Sequence, residues 1–396
     1  MRIQRRIAAV ILSLFVPALA VTPDVRAAPT VEDATVPADS AAARSGSKFT
    51  DPSDGWFDMS AFLESGHGFI PLAAPVTEPA FGYGVGGGLV FLRQNEPLPE
   101  GGYRRPNMLF LGGLGTNDGT WATIVAHAGS WKDDRIQTFV AALYASADLD
   151  FFGLGEGPLN EHPVPYDLGP AGGLAQVRYR IGHSPALVGL TYGIASIKVS
   201  VDVDQPPPEM QPLRYSRVGG VLPGFIYDSR DNAFTPLGGS YTSAEVGVFR
   251  DWLGSSSSFE RVNLVGIHYM PVSSSVFLST RLAAAFSFDD VPFYARPFVS
   301  LRGAPVLRYM GQNAGSIEAE GRWQFWRRFS GVGFAGVGTA WNQFARFDAQ
   351  QNVVTGGGGF RYELARRFGL HMGLDLAFGP IEPTIYFIFG NAWLRP

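Results

Sequence analysis

Two short stretches of the sequence place charged residues among glycine and proline at spacings that could support chemistry. The first is residues 227–239, with motif positions Asp228, Arg230, Asp231, Asn232, Pro236 and Gly238. The second is residues 299–312, where Leu301, Arg302 and Gly303 precede Arg308, Tyr309 and Gly311. Polar residues followed by proline and glycine are typical of tight turns. The plainest interpretation is therefore a hairpin turn and a solvated loop.

Residue types that perform catalysis or bind metals do not form a recognisable pattern. The histidines are scattered and show no H-E-x-x-H spacing: His67, His127, His162, His183, His268 and His371. No G-x-S-x-G elbow is present, and the chain has no cysteine. We expect no metal site, no cofactor and no enzymatic activity. A hydrolase site in a barrel wall stays open as an alternative, since a serine and its histidine can be distant in sequence.

In the segments around these two stretches, polar and apolar residues alternate with a period of two. In residues 315–326, for example, Glu318 and Glu320 alternate with Ile317 and Ala319, which indicates a strand. The segments are 10 to 15 residues long, whereas sandwich strands have about 5–6 residues and membrane-spanning barrel strands need about 9–11. We predict an all-β antiparallel transmembrane barrel of about sixteen strands. Its candidate strands lie near 67–74, 81–93, 106–117, 119–132, 135–147, 172–182, 186–201, 214–228, 239–251, 258–271, 275–288, 315–327, 329–342, 353–366, 368–379 and 383–393, with long connections near 148–170, 202–213 and 289–314.

Composition agrees with a barrel. Hydrophobic residues make up 46% of the chain and charged residues only 17%, against about 25% charged in soluble proteins. Barrel strands alternate between a lipid face and an aqueous lumen, so an apolar surface need not produce long apolar runs. The net charge of −4 gives no basic field for nucleic acid, and no nucleic-acid partner is expected.

The N-terminus predicts export. Arg2, Arg5 and Arg6 precede an apolar run at 7–16 and small residues at Ala18 and Ala20, as in a signal peptide. We assign residues 1–20 to it, with an alternative cut after residue 27. Residues 21–54 are rich in Ala, Pro, Ser and Thr and are predicted to be a disordered periplasmic linker. Residues 55–396 then form the barrel, in the outer membrane of a Gram-negative bacterium and surrounded by its lipids.

The two motifs, in this order, resemble the C-terminal barrel of the BamA/TamA superfamily, the bacterial surface antigen family. The resemblance spans roughly 67–396 and includes a terminal-strand signal at Tyr386, Phe389 and Trp393. It implies that the loop folds into the lumen and that Arg302 pairs with acids of the wall. Candidate partners on inward faces are Glu318, Glu320, Glu363 and Asp375. Two departures are Ala304, where the family has an aromatic residue, and the lack of periplasmic POTRA modules.

The resemblance implies a role in outer-membrane protein insertion or envelope biogenesis, with other outer-membrane proteins or assembly components as partners. Lateral opening would then occur between the first and last strands, where Pro71 and Pro75 cannot donate ladder hydrogen bonds. The alternative is a passive pore or small-molecule transporter. In that case the arginines predicted to face the lumen would set ion selectivity: Arg178, Arg180, Arg281 and Arg322.

Overall fold

The computed structural model describes residues 49–64, 68–78, 80, 82–93, 107–154, 158–201, 203, 205–210, 215–232, 234–342 and 351–393. The predicted signal peptide and residues 21–48 of the predicted linker lie outside these residues. The fold is one antiparallel sheet of sixteen strands in chain order. The strands are β1 Gly68–Val76, β2 Gly84–Arg93, β3 Asn107–Thr116, β4 Trp121–Trp131, β5 Ile136–Phe151, β6 Val164–Arg180, β7 Ala186–Val201, β8 Tyr215–Asp228, β9 Gly239–Phe249, β10 Phe259–Pro271, β11 Val276–Asp289, β12 Asn313–Trp326, β13 Phe329–Trp341, β14 Gln351–Ala365, β15 Leu370–Phe378 and β16 Thr384–Phe389.

The sheet curls into a nearly closed barrel. Each strand pairs with its neighbours in sequence. Most connections at one end of the barrel are long, and most of those at the other end are tight. We call these the loop end and the turn end. β1 and β16 approach each other, but no backbone hydrogen-bond ladder joins them within the described residues. We call this junction the seam.

The period-two pattern of the sequence sorts side chains between the two faces of the wall. In β12, Glu318 is 1% exposed while its neighbour Ile317 is 44% exposed. β13 and β15 show the same alternation, and the acids of β12 and β15 that were predicted to face inward do so. Apolar side chains cover the outward face and polar ones are concentrated inside.

Within the described residues, helical structure is limited to short pieces. Helix α1 spans Ser60–Glu64, and single 3₁₀ turns occur at Pro158–Asn160, Pro208–Met210, Asp251–Leu253, Phe293–Ala295 and Arg366–Phe368. None of the helices in the described part of the chain is long and apolar enough to cross a membrane.

The predicted count of sixteen strands is confirmed, but some bounds differ. The connection expected at 148–170 is shorter, because β5 and β6 continue as a ladder as far as Phe151 and Val164. Asp148, Asp150 and Asp167 lie on the less buried face of this extension, opposite the buried Leu149 and Leu168. The last strand ends at Phe389 rather than near residue 393. Trp393 therefore lies beyond the terminal strand.

Candidate functional site

The connection between β11 and β12, residues 290–312, folds back into the barrel and is called the lumenal loop here. Its apolar residues are buried against the inner wall at the loop end. The ring of Phe293 lies 5.4 Å from that of Phe151 and 5.2 Å from that of Tyr166. Burying one such side chain contributes about 1.5–3 kcal/mol. This cluster fills the lumen at the loop end.

Arg302 lies at the tip of the lumenal loop and is enclosed by carboxylates of the wall. Its Nε donates to Oε1 of Glu318 at 2.6 Å, and its Nη1 lies 2.6 Å from Glu320 and 2.8 Å from Asp375. The guanidinium also stacks on Phe334, at 3.7 Å from the ring centroid. The structure thus brings Arg302 together with three of its four predicted partners.

Glu363, the fourth predicted partner, does not reach Arg302. Its carboxylate pairs with Arg366 at 3.2 Å at the turn end. In the register of β14 and β15, Asp375 lies opposite Gly359, four residues before Glu363. Four residues correspond to about 13 Å along a strand. Glu363 has the predicted inward orientation, but it lies at the wrong level of the barrel.

The ionic cluster around Arg302 is almost free of solvent. The side chains of Arg302 and Glu318 are 2% and 1% exposed, and that of Asp375 is 0% exposed. Asp375 is shared with Arg361, whose Nη1 lies 2.5 Å away. Buried ion pairs add little net stability compared with apolar packing, but a charge left alone there is costly. The cluster therefore determines where the tip of the lumenal loop can lie.

Small residues allow the loop tip to approach the wall. Gly303 has φ +87° and a Cβ there would lie 3.0 Å from the carbonyl oxygen of Phe378. A Cβ on Gly379 would lie 2.0 Å from the carbonyl oxygen of Gly303. Ala304, where an aromatic residue was expected from the resemblance, is 3% exposed and packs with Val299 and Tyr309. A small residue fits this crowded position.

The lumenal loop contacts both edges of the seam. On the β16 side, the hydroxyl of Tyr386 accepts a hydrogen bond from the amide of Gly303 at 3.0 Å. On the β1 side, Glu78 accepts one from the amide of Val306 at 3.2 Å. Trp393 folds under the lumen and donates its Nε1–H to Glu318 at 2.8 Å. The loop thus connects the two strand edges that lack a ladder.

The 227–239 motif forms the turn between β8 and β9 and reaches across the turn end. Asp228 binds Arg230 at 2.7 Å, and Asp231 accepts the amide of Leu237 at 3.0 Å. Asn232 accepts the amides of Phe234 and Thr235, and its Nδ2 donates to the carbonyl of Phe368 at 2.8 Å. Since Phe368 lies in the connection between β14 and β15, this hairpin covers part of the mouth.

Between the two closures the lumen contains a cavity of about 590 Å³. Its wall is mainly apolar, with Glu245, Arg261 and Arg281 among the charged residues that face it. The cavity also extends to the seam, where Val76 and Phe387 line it. Residues of the lumenal loop line this space on one side, and Trp393 also lines it.

A second charged cluster, which the sequence analysis missed, lies at the turn end. Arg328, in the tight turn between β12 and β13, is fully buried and binds Asp51 at 2.6 Å, Asp54 at 2.8 Å and Asp58 at 2.6 Å. These aspartates belong to residues 49–64, which we call the N-terminal strap. Residues 49–54 had been assigned to the disordered linker, so that boundary falls inside the docked strap. Its three aspartates within eight residues mark the segment as acidic but do not identify Arg328 as their partner.

Further hydrogen bonds hold the strap to the same turns. The amide of Met59 donates to the carbonyl of Leu364 at 2.8 Å, and the amide of Arg366 donates to Asp58 at 3.1 Å. The hydrogen bond from Arg328 lowers the pKa of Asp54 to about 2. Burial acts to raise the pKa of Asp58, but hydrogen bonds from Ser60 and Arg328 outweigh it and lower that pKa to about 2. Both carboxylates are therefore ionised when they hold the strap.

The described residues offer little support for catalysis. They contain no group of three or more His, Asp or Glu residues able to hold a metal ion. On the outward face, Ser240 lies 2.9 Å from Nδ1 of His268. A hydrolytic triad also needs a group that orients the histidine, and within the described chain no carboxylate is bonded to His268.

The folded-in loop, the seam and the sixteen-stranded sheet define a β-barrel of the outer-membrane type. No family model matches the sequence, and no curated protein matches it. Solved structures do: BamA from Haemophilus ducreyi lacking POTRA domains 1–3 has a TM-score of 0.57 at 14% identity, covering 82% of this chain and 69% of that one.

Two further matches are barrels named CdiB. The protein from Escherichia coli has a TM-score of 0.54 at 13% identity, over 83% of this chain and 60% of that one. The protein from Acinetobacter baumannii has a TM-score of 0.52 at 11% identity, over 80% and 56%. This chain thus spans less than two thirds of either CdiB chain. Its fold is similar to that of these BamA and CdiB structures, in agreement with the resemblance seen in the sequence.

Proposed function

We propose that this protein is an outer-membrane barrel of a Gram-negative bacterium that assists the insertion of other outer-membrane proteins. The turn end faces the periplasm and the loop end faces the exterior. The observation that carries the proposal is the seam: β1 and β16 share no ladder in the described residues, while each of the other neighbouring strands is hydrogen-bonded to the next. Unpaired strand edges are templates for the addition of another strand.

The composition of the seam supports this role. β16 has only 6 residues, and Pro71 and Pro75 of β1 lack the N–H group that a ladder requires. The cavity reaches the seam from the lumen side, so a client segment could approach the strand edges there. Family resemblance supplies the remaining argument, because the superfamily is associated with envelope assembly.

The closed lumen argues against a passive pore. A conducting barrel needs a continuous polar path, whereas Phe293, Leu307 and Met310 of the lumenal loop are buried within the loop end. Arg281 donates to the carbonyl of Ser300 and thereby holds this loop. Planar-bilayer recordings of the purified protein are expected to show a mostly closed state, and a steady conductance would favour the pore.

Locking the seam tests the proposed role directly. The chain has no cysteine, so the double substitution Val76→Cys with Phe387→Cys places one reactive cysteine on each side of the seam. A bismaleimide that joins them should abolish insertion of a urea-unfolded barrel into liposomes that contain the protein. A matched control joins Phe225→Cys and Ala244→Cys, which face each other in the β8–β9 ladder.

The two crosslinked proteins give a clear decision. Loss of insertion with the seam lock, and normal insertion with the control, is the expected result. Equal insertion by both would overturn the proposal, because the seam would then have no part in the activity. In cells, deletion of the gene should lower the levels of other outer-membrane barrels.

A further inference from the structure

The N-terminal strap lies on the outward side of the wall. The ring of Trp56 packs edge-on against Trp326 at 5.3 Å and against Phe329 at 5.5 Å. Phe329 belongs to the outward face of β13, and Trp326 is 50% exposed at the end of β12. The hydroxyl of Tyr362 donates to the carbonyl of Phe57. The strap thus wraps over the outer rim of the turn end.

The strap also presents aromatic rings that the protein leaves uncovered. Phe57 is 49% exposed and Phe49 is 40% exposed, and their rings are stacked at 6.1 Å. Phe49 packs in turn on Phe62 at 5.2 Å. Rings of this kind at the end of an apolar wall are characteristic of a membrane interface.

Trp56 connects the strap to a row of aromatic residues on neighbouring strands. On the outward face of the same rim, Trp323, Phe325 and Phe360 are all exposed. The strap therefore extends a surface that is already suited to lipid. It does not create an isolated apolar patch.

The charges around the rings match a phospholipid surface. The guanidinium of Arg327 lies 5.8 Å from the ring of Trp326, and Arg366 and Arg367 are exposed beside the strap. The strap aspartates are engaged by Arg328 and Arg366, so they do not repel anionic headgroups. Arginine next to interfacial aromatic residues favours contact with lipid phosphates.

We propose that the docked strap is an interfacial anchor whose Phe49 and Phe57 enter the headgroup region of the periplasmic leaflet, with Arg327 and Arg367 facing lipid phosphate. This inference rests on the outer-membrane placement given under the proposed function. The anchor joins the polypeptide directly before β1 to the bilayer, close to the periplasmic end of the seam.

Single-cysteine labelling tests the anchor in the full chain. The protein is reconstituted into vesicles of phosphatidylethanolamine and phosphatidylglycerol, with an environment-sensitive dye on Phe57→Cys. Phe49→Cys repeats the measurement at the neighbouring ring in case one variant folds poorly. Pro52→Cys, on the exposed turn of the same strap, is the aqueous control. Leu374→Cys, outward on β15 and 52% exposed, reports whether the barrel itself is in lipid.

The expected result is blue-shifted emission at positions 57 and 49, with loss of intensity when a headgroup-region nitroxide lipid is added. Position 52 should show neither effect. An aqueous dye at both ring positions, with a lipid-embedded dye at 374, would overturn the anchor alone. An aqueous dye at 374 would overturn the membrane placement itself. Shielding at 57 without quenching by the lipid nitroxide would indicate a protein contact and would also overturn the proposal.

Lipid charge gives a second, independent measurement. Replacing phosphatidylglycerol by phosphatidylcholine, or introducing Arg327→Gln with Arg367→Gln, should reduce nitroxide quenching at position 57. Each basic residue near an anionic surface contributes about 1 kcal/mol, which corresponds to about fivefold in the bound population. Quenching that is independent of both changes would refute the role assigned to these arginines.

Discussion

Replacing Arg302 by glutamine removes the cation that connects the lumenal loop to β12 and β15. Three carboxylates then lose a partner in a region where Glu318 and Asp375 are almost fully buried. Because the pair is sheltered from water, no large reduction for solvent screening applies. Removing one member of a buried ion pair costs about 3–5 kcal/mol. Arg361 still binds Asp375, which favours the lower part of that range.

The predicted consequence is local undocking of the loop tip, with the barrel retained. The apolar cluster around Phe293 is independent of Arg302 and still holds the base of the loop. A loss of about 3 kcal/mol raises the undocked population by about a hundredfold, since each 1.4 kcal/mol corresponds to a factor of ten. Hydrogen exchange in peptides that cover residues 299–304 measures this opening. We expect exchange there to accelerate by about a hundredfold, with little change in the strands.

Arg322→Gln is the matched control. Arg322 is also a buried arginine on the inner wall, but it forms no salt bridge within the described chain and lies over the ring of Phe277 at 4.7 Å. Its replacement should cost at most about 1 kcal/mol through lost packing. Equal exchange in the two variants would refute the view that the carboxylates hold the loop. The double variant Arg302→Gln with Glu318→Gln should lose less free energy of loop docking than the sum of the losses in the two single variants.

The other predictions concern the strap and the lumen. Docking lowers the pKa of Asp54 and Asp58 from 3.8 to about 2, so the stabilisation is present above pH 4 and is lost as the pH falls towards 2. Pepsin cleavage within the strap should therefore begin in that range, and cleavage that is equally fast at pH 4 and pH 2 would contradict the assignment. At neutral pH, Arg328→Gln should leave three aspartates without their shared cation and expose the strap to proteinase K, while Arg327→Gln should not. Deletion of residues 291–310 should convert a mostly closed barrel into one with steady conductance in planar bilayers, and an unchanged conductance would mean that other residues close the lumen.

Alternation along the chain made most of the barrel predictable. Inward and outward faces follow directly from a period of two, which put Glu318, Glu320 and Asp375 on inward faces. The family resemblance, not the alternation, implied that Arg302 would meet such acids. Alternation does not give the height of a residue along the barrel axis. That height depends on strand register, which places Asp375 opposite Gly359 and Glu363 opposite His371. Glu363 was therefore assigned to the correct face but to the wrong end.

The strap was missed for a different reason. Asp51, Asp54 and Asp58 stand at the end of a stretch rich in Ala, Pro and Ser, whose composition favours disorder. Their partner Arg328 is 270 residues or more away in sequence, and nothing local indicates the pairing. Trp393 is a related case, because its ring binds Glu318 across the lumen instead of extending β16. Contacts that depend on closure of the sheet cannot be read from one segment.

The two sides of the seam are held unequally by the lumenal loop. The loop tip is bound to β12 and β15 through charge-assisted bonds of Arg302, and Gly303 is bonded to Tyr386 of β16. On the β1 side, the carboxylate of Glu78 accepts a hydrogen bond from the amide of Val306 at 3.2 Å. Removing one member of a buried ion pair costs about 3–5 kcal/mol, whereas one hydrogen bond to a charged group contributes about 1.5–3 kcal/mol. The contacts on the β12–β16 side therefore outweigh the Glu78 bond. If the seam opens as proposed, we expect the lumenal loop to stay with the edge of β16.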